Sequence, residues 1–184
     1  MEIFDITDDN GIPTGETVAR SEAHDNGIPH RTAHIWVVRK ENGAYQVLLQ
    51  KRSSDKESFP GMYDTSSAGH IQAGDGPLES AQRELHEELG IMAHEGDLTF
   101  AGKFHIQYEK EFHGKLFKDN EVAFVYVYEK PVDIEKLVLQ KEEVDEVRWF
   151  DIKEVHEGCL HRDGTFCVPL EGLETLMKYL GEKQ

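Results

Sequence analysis

Residues 69–91 read GHIQAGDGPLESAQRELHEELGI. Gly76 and Pro77 mark the start of a helix, where a residue without an N–H costs nothing, and Gly90 suits the left-handed position that ends one. The expected helix, 77–89, puts Leu78, Ala81, Leu85 and Leu89 on one side as a buried stripe. Glu84, Glu87 and Glu88 fall on a second arc, offset by roughly 110° at about 100° per residue. Carboxylates spaced i, i+3 and i+4 repel by a few tenths of a kcal/mol per pair, and no lysine stands among them. A solvated acidic face would account for such a run. A hard divalent cation would turn the same repulsion into binding. Arg83 could fix one carboxylate by a bidentate pair, and Asp75 sits where it could cap the helix.

Outward from this helix, strands and helices interleave. Residues 2–7 alternate apolar and polar before the turn-forming Asp8-Asp9-Asn10-Gly11, which predicts an opening hairpin. Residues 34–39 and 45–51 are rich in β-formers and flank Asn42-Gly43, a second hairpin signal. A loop is expected over 53–63, a short strand over 65–72, and further strands over 98–108, 121–129 and 144–150. A helix near 152–155 and an amphipathic helix over 170–180 complete the pattern. The class is α/β with a mixed sheet. No internal repeat appears. The expected organisation is one domain over 1–184, with an N-terminal hairpin extension at 1–30.

Composition narrows the function. Twenty Lys and Arg against 36 Asp and Glu give a net charge of −16, which disfavours a nucleic-acid partner. The same surface would repel a phosphorylated metabolite, so a phosphate site here needs a local cation. No apolar run approaches the roughly 20 residues that cross a membrane, and the acidic N-terminus does not resemble a signal peptide, so no membrane partner and a cytoplasmic location are expected. Cys159 and Cys167 form no metal-ligand pattern and are expected to be unpaired.

The spacing within 69–91 resembles the Nudix box: Gly, five residues, Glu, seven residues, then Arg-Glu-apolar-x-Glu-Glu-x-Gly-apolar. Gly69, Arg83, Glu84, Leu85, Glu87, Glu88, Gly90 and Ile91 match in register. Chance agreement at the six fixed Gly, Arg and Glu positions is on the order of one in ten million per start point. Asp75 stands where the family has its first Glu. The resemblance implies an α/β/α sandwich and a metal-dependent hydrolase that cleaves the diphosphate linkage of a small-molecule substrate. It implies Mg²⁺ or Mn²⁺ held by Glu84, Glu87, Glu88 and the backbone carbonyl of Ala68, with Glu121 as a further carboxylate. Arg83 would support this catalytic set, and the base would be Glu88 or Glu121. The substrate could be a nucleoside diphosphate derivative or an isoprenoid diphosphate, with Lys51, Arg52, Lys56 and Phe59 as candidate contacts to it, and the loops over 53–62 and 103–120 holding its remainder. Many proteins of this kind are dimers; a homodimer could use the N-terminal hairpin or the last helix, although either could equally pack on its own core.

A closer resemblance is to the isopentenyl-diphosphate isomerase branch of the same superfamily. It is carried by His24, His30-Arg31, the Leu-Leu-Gln-Lys-Arg run at 48–52, Phe59-Pro60-Gly61 and Gly69-His70. By that likeness His24, His30 and His70, with Asp119 and Glu121, would form a second metal site. The isomerases carry a cysteine immediately before the box glycine to move protons. Here that residue is Ala68, whose methyl cannot carry one, and the box is nearly complete. Both features favour a hydrolase on an isomerase-like frame over an isomerase or a non-catalytic nucleotide-sensing module.

Overall fold

The chain opens, as its alternation predicts, with an antiparallel pair, β1 (Ile3–Thr7) and β2 (Pro13–Ala19). Asp8 shapes the turn, its Oδ1 accepting the amides of Asn10 and Ile12. A short helix, α1 (Arg20–Asn26), follows and ends at Gly27 with φ of +68°. The sequence pattern does not predict α1, because seven residues are too few for a helical period to show and only Ala23 and His24 are buried.

The rest of the chain forms β3 (His30–Glu41), β4 (Ala44–Arg52), β5 (Tyr63–Asp64), β6 (Ser67–His70), α2 (Pro77–Leu89), β7 (Leu98–Phe112), β8 (Lys115–Tyr128), β9 (Val144–Asp151), α3 (Ile152–His161) and α4 (Leu170–Glu182). This computed structural model describes residues 1–56 and 58–183; Glu57, within the loop expected over 53–63, lies outside the described residues. The main sheet runs β5-β4-β3-β8-β7, with β6 also paired to β3 and β9 to β4. The β3–β8 pairing is parallel and the β3–β4 and β7–β8 pairings antiparallel, so the sheet is mixed as expected. Asn42 and Gly43 both take positive φ, which matches the right-handed twist of the β3–β4 hairpin.

The central strand β3 is buried on both faces. Ala33, Ile35 and Val37 pack with Ala81, Leu85 and Leu89 of α2, while Trp36 and Val38 pack with Val155 of α3 and Leu173, Leu176 and Leu180 of α4. Two apolar layers on either side of one sheet make the α/β/α sandwich. The stripe predicted for α2 is the one it buries. Phe4 and Val18 of the N-terminal hairpin and Leu173, Leu176 and Leu180 of α4 are likewise buried within this chain. Among the described residues, no helix is long and apolar enough to cross a membrane.

Two local expectations are corrected. Residues 103–120 are not a loop but the outer part of a long β7–β8 hairpin, closed by His113-Gly114 at positive φ. Its charged, half-exposed residues hide the alternation, and His-Gly is not a strong turn signal. Asp75 does not cap α2, whose N-cap is Gly76.

Candidate metal and diphosphate site

The strand β6 runs beneath α2 and brings the box residues together. A Cβ built on Gly69 would sit 2.1 Å from Cδ of Glu84, so the absent side chain is what admits the carboxylate. Arg83 fixes the same region with three bonds: Asp75 Oδ2 at 2.9 Å, the His70 carbonyl at 3.0 Å and Glu84 Oε1 at 3.0 Å. Asp75 is therefore the ion-pair partner of Arg83. Burial raises the Glu84 carboxyl above its ordinary value, although Arg83 opposes that shift.

The three box glutamates sit in unlike surroundings. Glu87 is exposed, Glu84 half-buried and Glu88 buried. Glu88 Oε2 accepts from Gln50 Nε2 at 2.7 Å and from the Ala68 amide at 3.3 Å. Burial pushes the Glu88 carboxyl up to about 8 despite the nearby Ser67 hydroxyl and those donors. An anionic, buried carboxylate without a cationic partner is costly alone, and a divalent ion would relieve it.

A second constellation lies two residues along β6. His24 of α1, His30 of β3, His70 of β6 and Glu121 of β8 each offer a ligand atom, and these atoms all lie within 4.8 Å of one another. The parallel β3–β8 register aligns His30 with Glu121 directly. The Arg20 carbonyl lies 2.9 Å from His24 Nδ1, and the Ile28 carbonyl 2.8 Å from His30 Nδ1. A carbonyl only accepts, so each Nδ1 carries the proton and each Nε2 presents a lone pair. The Nε2 atoms of His24, His30 and His70, and Asp119 Oδ1, are buried without a hydrogen-bond partner among the described residues.

Glu121 is turned to this group. Its Oε1 lies 3.8 Å from His30 Nε2 and 3.5 Å from His70 Nε2, while Oε2 accepts from the Thr32 hydroxyl at 2.9 Å. Asp119 Oδ1 is 3.8 Å from His24 Nε2. These contacts are not ion pairs in the metal-free chain, because burial holds the imidazoles neutral. His24 is lowered to about 4, His30 is lowered, and His70 is lowered well below its ordinary value, in each case chiefly by burial. Burial raises both Asp119 and Glu121. Phe4 stacks on His30 and His70 with centroids at 5.0 and 4.6 Å, and Phe117 stacks on His24 at 4.4 Å. The N-terminal hairpin is thus part of the wall. Arg31 secures it by bonding Asp5 and the Asp75 carbonyl.

Both constellations open on one cavity of about 1160 Å³. Of the basic and aromatic residues read as substrate contacts, Arg52, Lys56 and Phe59 line it. Lys51 does not line it, since strand alternation turns it to the face opposite Arg52. Arg52 is committed to Ser58 and Asp64, and Lys56 pairs with Glu143. Phe59 meets Phe112 edge-on, with Lys110 Nζ 4.4 Å from its centroid. Sequence reasoning missed Gln50, Thr32, Phe4 and His34. The first three are signalled only by what they touch across the sheet. His34 is buried beside Phe104 and matches no spacing pattern. The two cysteines are free and half-buried.

Comparison with known proteins agrees with this geometry. A family model for the NUDIX domain matches residues 28–166. The chain is 39% identical over 172 residues to Nudix hydrolase 3 of Arabidopsis thaliana, covering 92% of this chain but 22% of that protein. It is 31% identical over 139 residues to an isopentenyl-diphosphate Delta-isomerase of Dinoroseobacter shibae, covering 76% of this chain and 73% of the relative. Among solved structures, a Deinococcus radiodurans protein superposes with a TM-score of 0.69 at 14% identity, covering 96% and 98% of the two chains, which speaks for the fold alone.

Proposed function

Because this chain belongs to the Nudix family, we propose that it is a diphosphohydrolase acting on a small organic diphosphate at the floor of the cavity. The observation that carries this reading is the pair of carboxylates, Glu84 over Gly69 and Glu88 under Gln50, held beside the β6 backbone. The donors are all oxygens, which suits a hard ion. Glu84, Glu87, Glu88 and the Ala68 carbonyl would hold Mg²⁺ or Mn²⁺. Such an ion supplies a more acidic water and offsets charge on the departing phosphate.

The chain's own residues do the rest. Arg83 orients Glu84 and ties it to the His70 carbonyl, so the ligand does not have to be ordered at each turnover. Glu88 has one oxygen engaged by Gln50 and Ala68, which leaves the other for the cation and for the proton of the attacking water. Glu121 is the weaker candidate, because Thr32 bonds its Oε2 and its Oε1 faces the histidine group rather than the β6 backbone beside Glu84 and Glu88.

The His24, His30, His70 and Glu121 group fits a second ion, with Asp119 beside it. Three inward imidazoles and a carboxylate favour later first-row metals over Mg²⁺. This centre is the feature shared with the isomerase-like frame, yet Ala68 gives the cavity no acid–base group at the isomerase position. Hydrolysis is therefore the reading we favour.

The deciding experiment follows phosphate-product release with Mg²⁺ or Mn²⁺ across nucleotide-linked and isoprenoid diphosphates, for wild type and Glu88→Gln. Metal-dependent turnover that drops by roughly two orders of magnitude or more in the variant is expected. Absence of turnover on every substrate, with nucleotide binding intact, would replace the enzyme by a sensor.

A further inference from the structure

Gln50 lies outside the box, on β4, and is buried. Its Nε2 donates to Glu88 Oε2 at 2.7 Å and approaches the Ser66 carbonyl at 3.3 Å. A backbone carbonyl only accepts, so Ser66 fixes which end of the amide faces Glu88. Ser66 is itself immobile: its hydroxyl accepts the Val37 amide at 2.8 Å and donates to the Leu48 carbonyl, locking it to β3 and β4. The chain of contacts runs from the sheet through Ser66 and Gln50 to a single oxygen of Glu88. The Ala68 amide reaches the same oxygen at 3.3 Å. The Ser67 hydroxyl also neighbours this carboxyl and favours its charged form, although no bond of normal geometry joins the two, and none reaches Oε1 among the described residues.

We propose that Gln50 is the positioning residue of the site: its amide, aimed by Ser66, holds Glu88 Oε2 so that Oε1 alone is presented to the cation and the reacting water. This rests on the role given to Glu88 above. Two donors on one oxygen set the rotation of the carboxyl, whereas α2 alone sets only where its stem begins. Removing an outer partner of this kind typically costs about 10- to 100-fold in metal affinity or activity.

The test compares wild type with Gln50→Met, which keeps the volume without the donor, and Gln50→Asn, which keeps the amide but shortens its reach. Mn²⁺ alone is titrated by electron paramagnetic resonance, and the bound population that disappears in Glu84→Gln marks the box site. That population should bind roughly tenfold more weakly in both Gln50 variants. On whichever diphosphate the wild type turns over, kcat should fall about 10- to 100-fold with KM changed less than about twofold. Wild-type Mn²⁺ affinity in a folded variant, with only the melting temperature moved, would overturn the proposal. The Mn²⁺ arm needs no substrate, so failure of the hydrolase reading is distinguishable from failure of this one. Should the methionine variant not fold, the asparagine variant decides.

Discussion

The Cα of Gly69 lies directly under the carboxyl of Glu84, so close that a Cβ there would fall 2.1 Å from Cδ and 2.3 and 2.5 Å from the two oxygens. What it would strike is the free end of a flexible side chain beside an open cavity, not backbone. Gly69→Ala should therefore fold, with a melting temperature within a few degrees of wild type, while Glu84 swings off the floor of the site. A displacement of about 1 Å in such a group can cost on the order of a hundredfold in rate. Paired melting curves and steady-state kinetics check this, and a variant with normal turnover would show that Glu84 is not needed where it stands.

Arg83 serves Asp75, Glu84 and the His70 carbonyl from one guanidinium. A lysine keeps the charge but cannot make the planar fork. Arg83→Lys should lower kcat by about 10- to 100-fold. Because Arg83 is partly exposed, the loss of stability should be small by comparison. Stopped-assay kinetics alongside thermal unfolding separates the two; equal turnover in both proteins would refute a need for the fork.

Much of this was legible in the sequence, and the reason differs by element. The helix α2 and its buried stripe follow from local period and end signals, which act within a few residues. The pairing of His30 with Glu121 depends on the parallel register of β3 and β8, set by the packing of both layers, and no local signal carries it. The histidine set was reachable only through its family likeness. Gln50 illustrates the remaining gap: within Leu-Leu-Gln-Lys-Arg it reads as an ordinary strand residue until β4 is laid beside Ser66 and α2. Lys51 shows the converse, a basic residue beside the motif that alternation sends elsewhere.

The histidine centre predicts a metal-dependent gain in stability separate from catalysis. A ligand that binds only the folded chain adds about 2.7 kcal/mol at one hundred times its Kd. For a chain of this size that corresponds to a rise of roughly 5–10 °C in melting temperature. Chelated protein titrated with Mn²⁺ or Zn²⁺ should show such a rise in Glu84→Gln as well as in wild type, and should lose it in His24→Gln, His24 being one of the four proposed ligands. An unchanged melting temperature in wild type across saturating metal would remove the second site.

His34 gives a pH prediction at a residue outside the proposed ligand set. It is buried against Phe104, its Nδ1 has no partner among the described residues, and burial lowers its pKa from 6.5 to about 4. The unfolded chain binds the proton more readily between those values, so stability is complete above pH 6.5 and declines as pH falls toward 4. Between pH 7.5 and 4.5 the loss attributable to this residue alone is about 2–3 kcal/mol. His24, His30 and His70, lowered for the same reason, add to the slope in the chelated protein. Urea unfolding of chelated wild type and His34→Gln at the two pH values isolates the His34 share. The variant is less stable than wild type at pH 7.5 if the imidazole packs well, yet its pH dependence should be shallower by that amount. Identical slopes in the two proteins would mean that His34 is solvated enough to titrate normally in the folded state.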